Sequence, residues 1–432
     1  MKRRFFYIVL FCFVSSLSAQ NIPVVTGPKI ITPNNIVNAY PGNQQVSPYN
    51  PNEIQQRIRT NQDLINESRI HLQQESQRQS AIKTLLSSGF SSLSQMEGTS
   101  HFYEAFDEIL QMLKGEIPLN LGRTVFLVEN AYYGDSIDYA EFREAIKNKV
   151  ALCNTKIKEE NLDGSDNMVK NSMLYRFLTD TVKVENAGKT IMSLPLKYNL
   201  EDYISEQNYD SHFVMKLMQT GIGQCHSMPL YYLVLAEEIG SEAYWSFSPK
   251  HSFVKIKDDN EDWYNLELTC SAILSDAHYM NNSYIKAEAL RNRIYLEPMD
   301  KENTIAEMLI DLARGYYRKY GLDDFTLKCL DTAMEYLDND LNALMFKSFY
   351  ETELTLALAR LLQAPNPETL KEKSPEAYEH FEMMQNLYKQ IDDLGYEELP
   401  ASLYVRWLEH IEREKSKSEK EKSIFLKPTD NR

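Results

Sequence analysis

Cysteine is scarce in this chain, five among 432 residues, and the four beyond residue 19 (Cys153, Cys225, Cys270 and Cys329) lie far apart. That excludes a disulfide-dense scaffold. Positive charge is in deficit too, with 46 Lys and Arg against 62 Asp and Glu, a net charge of −16. A nucleic-acid groove built on overall positive potential does not fit such a balance, because like charges repel the phosphates. Beyond the N-terminus no run reaches the roughly 20 apolar residues that a membrane span needs. What is present is ordinary for a globular protein: 43% hydrophobic and 25% charged residues, which exclude wholesale disorder. The length predicts two or three domains.

The first residues follow a different pattern. Lys2, Arg3 and Arg4 precede an apolar stretch, 5–14, and a small-residue exit, 15–19. A basic head, a short apolar core and small residues describe a secretory signal peptide. Residues 1–19 are therefore expected to direct export, to a periplasm, a cell envelope or the extracellular space. Cys12 follows bulky Phe11, where a lipid attachment site wants a small residue. Without residues 1–19 the chain has 43 basic and 62 acidic residues, a net charge of −19.

Five further segments are expected after the signal. Residues 20–52, punctuated by prolines from Pro23 to Pro51, read as a tether that cannot bury enough apolar surface to order itself. Residues 53–165 read as helical. Ile58, Ile65 and Leu72 stand at heptad spacing there, a hint of coiled coil beside the plainer reading of one amphipathic helix. The Asp163-Gly164-Ser165-Asp166 turn closes that region. Residues 166–298 hold the chemistry and are read as an α+β core. Residues 299–415 are helical again, and the 416–432 tail is a solvated charge run. Overall the chain is expected to be mostly α.

The chemistry gathers between residues 213 and 270. Gly221, Gly223, Gln224 and Cys225 precede Pro229 and an apolar helical stretch that stops at Gly240. Proline fits only in or before a first helical turn, so Cys225 is expected at or just ahead of a helix N-terminus. The dipole there favours thiolate. Gly221 and Gly223 are expected to allow a tight turn and a close substrate approach. Downstream, 242–247, 251–256 and 263–269 read as strands, the last two joined by an acidic turn at 258–262. In one register of that hairpin Lys257 faces Trp263, and Glu267 shares a face with His251. In the other, Lys257 faces Asp262 and Glu267 points away. Asn265 is the weaker partner for His251, because it lies farther along the strand.

A thiol, an imidazole and a carboxylate suffice for acyl transfer. The imidazole takes the thiol proton, and the carboxylate fixes its tautomer. Backbone N–H groups at the helix start, with Gln219 or Gln224, are candidate oxyanion donors. No metal or other cofactor is called for. His226 beside Cys225 lacks the further ligands a metal needs, and a Cys225–Cys270 disulfide is the structural alternative for the thiol.

The Gly-x-Gly-Gln-Cys loop opening a helix, a His starting a strand and Trp-Tyr-Asn-Leu-Glu-x-Thr about 12 residues later resemble the transglutaminase-like superfamily. The motif covers roughly one seventh of the chain. The resemblance implies a papain-like core, with the Cys-bearing helix packed on an antiparallel sheet. It assigns Cys225 as nucleophile, His251 as base and Glu267 to the place usually held by Asp. It further implies acyl transfer or hydrolysis on a protein or peptide substrate, or a degenerate site used for binding in the cell envelope. Leu312, Ala313, Tyr316, Gly321, Leu330 and Ala333 fall close to the spacing of a tetratricopeptide unit, followed by a helical pair at 374–394 and 401–414. Such helices are expected to stack and to offer a surface to a protein partner.

Overall fold

The computed structural model describes residues 51–398 except 187, 203, 204 and 206, together with Leu403 and Arg406. The expected signal peptide, most of the tether, the tail and nearly all of the helix expected at 401–414 lie outside the described residues. Among those described, the protein is a mostly helical α+β molecule with 14 α-helices and small sheets.

The helices before the chemistry are α1 (Pro51–Ser88), α2 (Ser100–Leu113), α3 (Leu121–Tyr132), α4 (Tyr139–Glu159) and α5 (Asn167–Thr179). Helix α1 is one long helix of 38 residues. Ile58, Ile65 and Leu72 are exposed along it, while Leu85 and Leu86 near its end pack on a later helix. The 163–166 turn serves as a cap: Asp166 accepts from the backbone N–H groups of Met168 and Val169 and starts α5. Such caps satisfy donors that the first helical turn leaves free.

Next come a hairpin of β1 (Val182–Asn186) and β2 (Lys189–Ser193), and a short parallel pair of β3 (Lys197–Tyr198) and β4 (Ile222–Gly223). Helix α6 (Val214–Thr220) leads into β4, and α7 (Ser227–Ile239) follows it. Four antiparallel strands then pair in chain order: β5 (Tyr244–Ser248), β6 (His251–Lys257), β7 (Trp263–Glu267) and β8 (Ala272–Leu274). Two short helices, α8 (Asp276–Asn282) and α9 (Ala287–Arg291), return the chain across this sheet. The segment after them bonds along the β5 edge, through Leu296 N–H to Phe247 O and Met299 N–H to Trp245 O.

The C-terminal helices are α10 (Lys301–Tyr320), α11 (Asp324–Met334), α12 (Leu341–Leu362), α13 (Pro367–Lys373) and α14 (Pro375–Asp393). Asp300, Asp323, Asp340, Asn366 and Ser374 cap them in turn with side-chain oxygens. The hairpin of α10 and α11 turns at Gly321, whose φ of 104° few other residues tolerate.

One hydrophobic core runs from Phe102 to Phe346 and takes in α2, α3, α7, the four-stranded sheet, α10 and α11. It passes across the expected boundaries at 165 and 298 without a break. Tyr316 of α10, for example, meets Phe102 of α2 edge to face at 5.4 Å. Contacts of that kind contribute about 0.5–1.5 kcal/mol each beyond simple burial. The C-terminal helices are thus fastened to the front of the molecule, and the sheet and α7 lie between.

Candidate active site

Two glycines aim the cysteine loop, for different reasons. Gly221 ends α6 in the left-handed region, at φ 69°, with open space around it. Gly223 is packed so closely that an added Cβ would lie 2.8 Å from Leu217 Cδ1 and 2.9 Å from Ser227 Oγ. The expected turn is therefore at Gly221, whereas Gly223 serves internal packing and does not line the cleft. Cys225 follows, half-buried, two residues ahead of the first residue of α7. Its carbonyl accepts a 2.6 Å hydrogen bond from Ser252 Oγ, which ties the loop to β6. All four described cysteines are free thiols, so Cys225 and Cys270 are not paired.

Helix α7 is buried on nearly every side from Ser227 to Ala236. Inside the core its polar tips find partners: the Tyr232 hydroxyl lies 2.9 Å from Asn171 Oδ1 and 3.0 Å from Asn171 O. Gly240 closes the helix at φ 71°. The packing fixes the front of α7, and with it the position of Cys225.

The hairpin adopts the register in which Lys257 pairs with Trp263 and Val254 with Leu266. Two residues, Pro249 and Lys250, turn β5 into β6, and Lys250 sits at φ 61° in the left-handed region. His251 begins β6 directly after this turn. Its Nε2–H donates to Glu267 Oε2 at 2.5 Å, and both side chains are buried. Cys225 and His251 line the same cleft. With Nε2 committed to Glu267, Nδ1 is the ring nitrogen left for the thiol.

Glu267 is held by more than the histidine. Thr269 donates to Oε1 from its backbone N–H at 3.0 Å and from Oγ1 at 2.7 Å. Tyr279 donates its hydroxyl to Oε2 at 2.9 Å while its ring stacks on Phe253 at 4.3 Å. Burial opposes charge on both partners, but their attraction outweighs it. Glu267 is held below the usual carboxylate range by His251 and the Thr269 bonds. Against its burial, His251 is pushed up to about 10 by Glu267 and Cys225. The pair is an imidazolium and a carboxylate at neutral pH.

Three further candidates lie elsewhere. Gln219 is exposed on the last turn of α6, because the helical period turns it away from the core. Gln224 is fully buried, and its Nε2 donates to the Asp202 carbonyl rather than toward the cleft. Asn265 alternates to the face where its Nδ2 meets Asp276 Oδ1 at 2.7 Å, beside buried Lys255. None of the three lines the cleft that contains Cys225 and His251.

That cleft has a volume of about 500 Å³, and its far wall comes from the C-terminal helices. Asp300, the cap of α10, lines it together with Asn303, Glu307 and Arg314, which stand on one face of that helix at helical spacing. Asp311 on the same face holds His226 Nε2 at 2.8 Å, and His226 Nδ1 lies 3.3 Å from the His212 carbonyl. Burial opposes charge on Asp311, but His226 and Arg314 hold it down at about 2. Burial, with His226 alongside, pushes His212 down to about 3 and keeps it neutral. His226 is therefore a strut between the cysteine loop and α10. Among the described residues no group of three or more His, Cys, Asp or Glu side chains is arranged to hold a metal ion.

Tyr279 and the α10 face were not found by reading the sequence. Tyr279 lies on a seven-residue helix with no motif of its own. The α10 face did carry a signal, a run of polar residues at i, i+4, i+8 and i+11 from Asn303 on a helix otherwise rich in buried apolar residues. No protein-family model, curated protein or solved structure matches the chain.

Proposed function

We propose that this protein is a thiol-dependent enzyme that transfers or hydrolyses acyl groups of peptide-like amides, with Cys225 as nucleophile, His251 as general base and acid, and Glu267 as the carboxylate that orients the imidazole. The observation that carries this reading is the buried His251–Glu267 pair, whose imidazole lines the same cleft as the Cys225 thiol. The sheet and α7 also support the finer fold reading, a transglutaminase-like core with tetratricopeptide-like helices behind it.

Each step uses groups already in place. A thiolate is the nucleophile in such chemistry, and an imidazolium beside it supplies the positive charge that it needs. Attack of Sγ on the amide carbon forms the C–S bond and moves the carbonyl electrons onto oxygen. Backbone N–H groups at the front of α7 are suited to hold that oxyanion. Collapse of the tetrahedral adduct breaks the C–N bond, and the imidazolium proton leaves with the amine. Water or a second amine then attacks the thioester, with neutral His251 taking its proton. The Ser252 bond to the Cys225 carbonyl keeps the thiol side of this arrangement fixed on β6. We further read residues 1–19 as an export signal, which would place this chemistry in the periplasm, the cell envelope or outside the cell.

Iodoacetamide tests the reading directly. At neutral pH Cys225 should be alkylated far faster than Cys153, Cys270 and Cys329, and Cys225→Ala should abolish the fast phase. Labelling no faster than that of an ordinary exposed thiol would leave only a binding scaffold. Acyl groups trapped on Cys225 and read by mass spectrometry would identify the substrate.

A further inference from the structure

Strand β6 carries His251, Phe253 and Lys255 in a row on one face, because alternate residues of a strand share a side. Asn265 of β7 is the register partner of Lys255, and Glu267 stands two residues along on the same face. Helix α8 lies across both strands and meets them twice. Its Tyr279 ring stacks on Phe253 at 4.3 Å and lies 6.5 Å from the His251 ring, while its hydroxyl donates to Glu267. Three residues earlier on α8, Asp276 accepts from Lys255 Nζ, at 3.0 Å on Oδ1 and 3.2 Å on Oδ2. Asn265 Nδ2 donates to the same Oδ1 at 2.7 Å. The contacts form two parallel rungs, His251–Glu267–Tyr279 and Lys255–Asn265–Asp276.

Stability alone does not account for the second rung. Lys255 is 3% exposed and Asn265 1%, and Asn265 Oδ1 has no donor among the described residues. A buried ammonium and an unmet amide oxygen are both unfavourable, and well-packed apolar residues often stabilise a core as well or better. What the rung supplies is position. Helix α8 has only seven residues, too few to order itself, so its place along the strands depends on what its side chains reach. Lys255 Nζ also donates to the Leu296 carbonyl at 2.8 Å, and Leu296 lines the cleft of Cys225 and His251. One buried ammonium thus ties α8 and the cleft wall to the strand that bears the imidazole.

We propose that Lys255, Asn265 and Asp276 are positioning residues for the candidate active site: they set where α8 lies and, through the Tyr279 hydroxyl, hold the Glu267 carboxylate in line with His251. This rests on the reading of Cys225, His251 and Glu267 as an acyl-transfer triad, and it gives Asn265 a role although it does not line the cleft.

Two readouts separate such a role from a general loss of stability. One is the rate of iodoacetamide alkylation of Cys225, followed against pH in the full chain. The other is the NMR titration of the His251 imidazole in the full chain carrying Cys225→Ala, which does not depend on a reactive thiol. Asn265→Ala and Asp276→Ala should each slow alkylation by a few-fold, as Tyr279→Phe does, and change the imidazole titration in the same direction as that variant. Combined with Tyr279→Phe, neither should add to its effect, because residues that act through one group are not additive. Asn265→Ala leaves the Lys255–Asp276 pair in place and stands in if Asp276→Ala does not fold. Wild-type alkylation and wild-type imidazole titration in the folded variants overturn the proposal, as do changes that persist in full beside Tyr279→Phe. Fast labelling of the wild-type thiol without this coupling would sink the positioning role alone. Slow labelling of the wild type with the imidazole coupling intact would sink the enzyme reading and leave two rungs that hold an ion pair.

Discussion

His251 Nε2 and Glu267 Oε2 stand 2.5 Å apart on neighbouring strands, both buried, and His251 shares a cleft with the one half-buried thiol among the described cysteines. The pair combines strand register with a set of donors to the carboxylate. Replacing the carboxylate by an amide separates charge from shape. In Glu267→Gln the imidazolium loses its counter-charge, so alkylation of Cys225 at pH 7 should slow by about tenfold or more, and amide turnover by roughly 10²–10⁴-fold. Stability should fall by about 3 kcal/mol, since breaking a buried pair leaves its partner uncompensated. Iodoacetamide kinetics and urea melts read the two effects separately. Unchanged alkylation would remove Glu267 from the site.

The same pair makes a pH signature. The folded His251 titrates near 10 against 6.5 for a free imidazole, so its contribution to stability is complete below 6.5 and is lost as pH rises toward 10. Glu267 is lowered from 4.5, so its contribution is present above 4.5 and fades as pH falls below that. Unfolding free energy from urea melts should therefore decline between pH 6.5 and 10 by roughly 2–4 kcal/mol more in wild type than in Glu267→Gln. Parallel curves for the two proteins over that window would contradict the ion pair.

Short-range order made the site legible in the sequence. The 258–262 turn allows only neighbouring registers, and the period of two along a strand then fixes which acid can share a face with His251. Pro229 and Gly240 bracketed α7 for a comparable reason, each being restricted to one end of a helix. Contributions that depend on packing between distant segments left weaker traces. Gln224 is one loop residue from the cleft, yet it turns inward to the Asp202 carbonyl, and no spacing rule distinguishes the two directions. The α10 wall reaches the thiol from about 85 residues away in sequence, through the His226–Asp311 contact. Nor did the expected boundary at 298 correspond to a gap in packing, because Tyr316 and its neighbours are buried against α2 and α3.

Tyr279 gives a test of that long-range support. Its hydroxyl donates to Glu267 Oε2, and its ring stacks on Phe253. Tyr279→Phe keeps the ring and removes one donor from a buried carboxylate, which should cost about 1–3 kcal/mol. Because His251 and Thr269 still hold Glu267, alkylation of Cys225 should slow only a few-fold, and its pH profile should shift slightly. A loss as large as that of Glu267→Gln would mean that the hydroxyl, not the strand pairing, fixes the carboxylate.

The two loop glycines should respond to alanine in different ways. At Gly221 a Cβ meets nothing within 4 Å, so Gly221→Ala carries only the left-handed backbone penalty, about 1–2 kcal/mol. The thiol should label at close to the wild-type rate. At Gly223 the Cβ would press on Leu217, Ser227 and Met228 at 2.8–3.1 Å. Ser227 Oγ accepts from Gln224 N–H at 2.9 Å, and Met228 N–H reaches Gln224 O, so the intruding methyl pushes on the bonds that place Cys225 ahead of α7. Overpacking of this kind costs about 1–3 kcal/mol. Gly223→Ala should therefore slow alkylation of Cys225 by about tenfold even where urea melts show it folded, while Gly221→Ala should not. Equal labelling rates for the two variants would show that the loop tolerates the shift and that close packing at Gly223 does not aim the thiol.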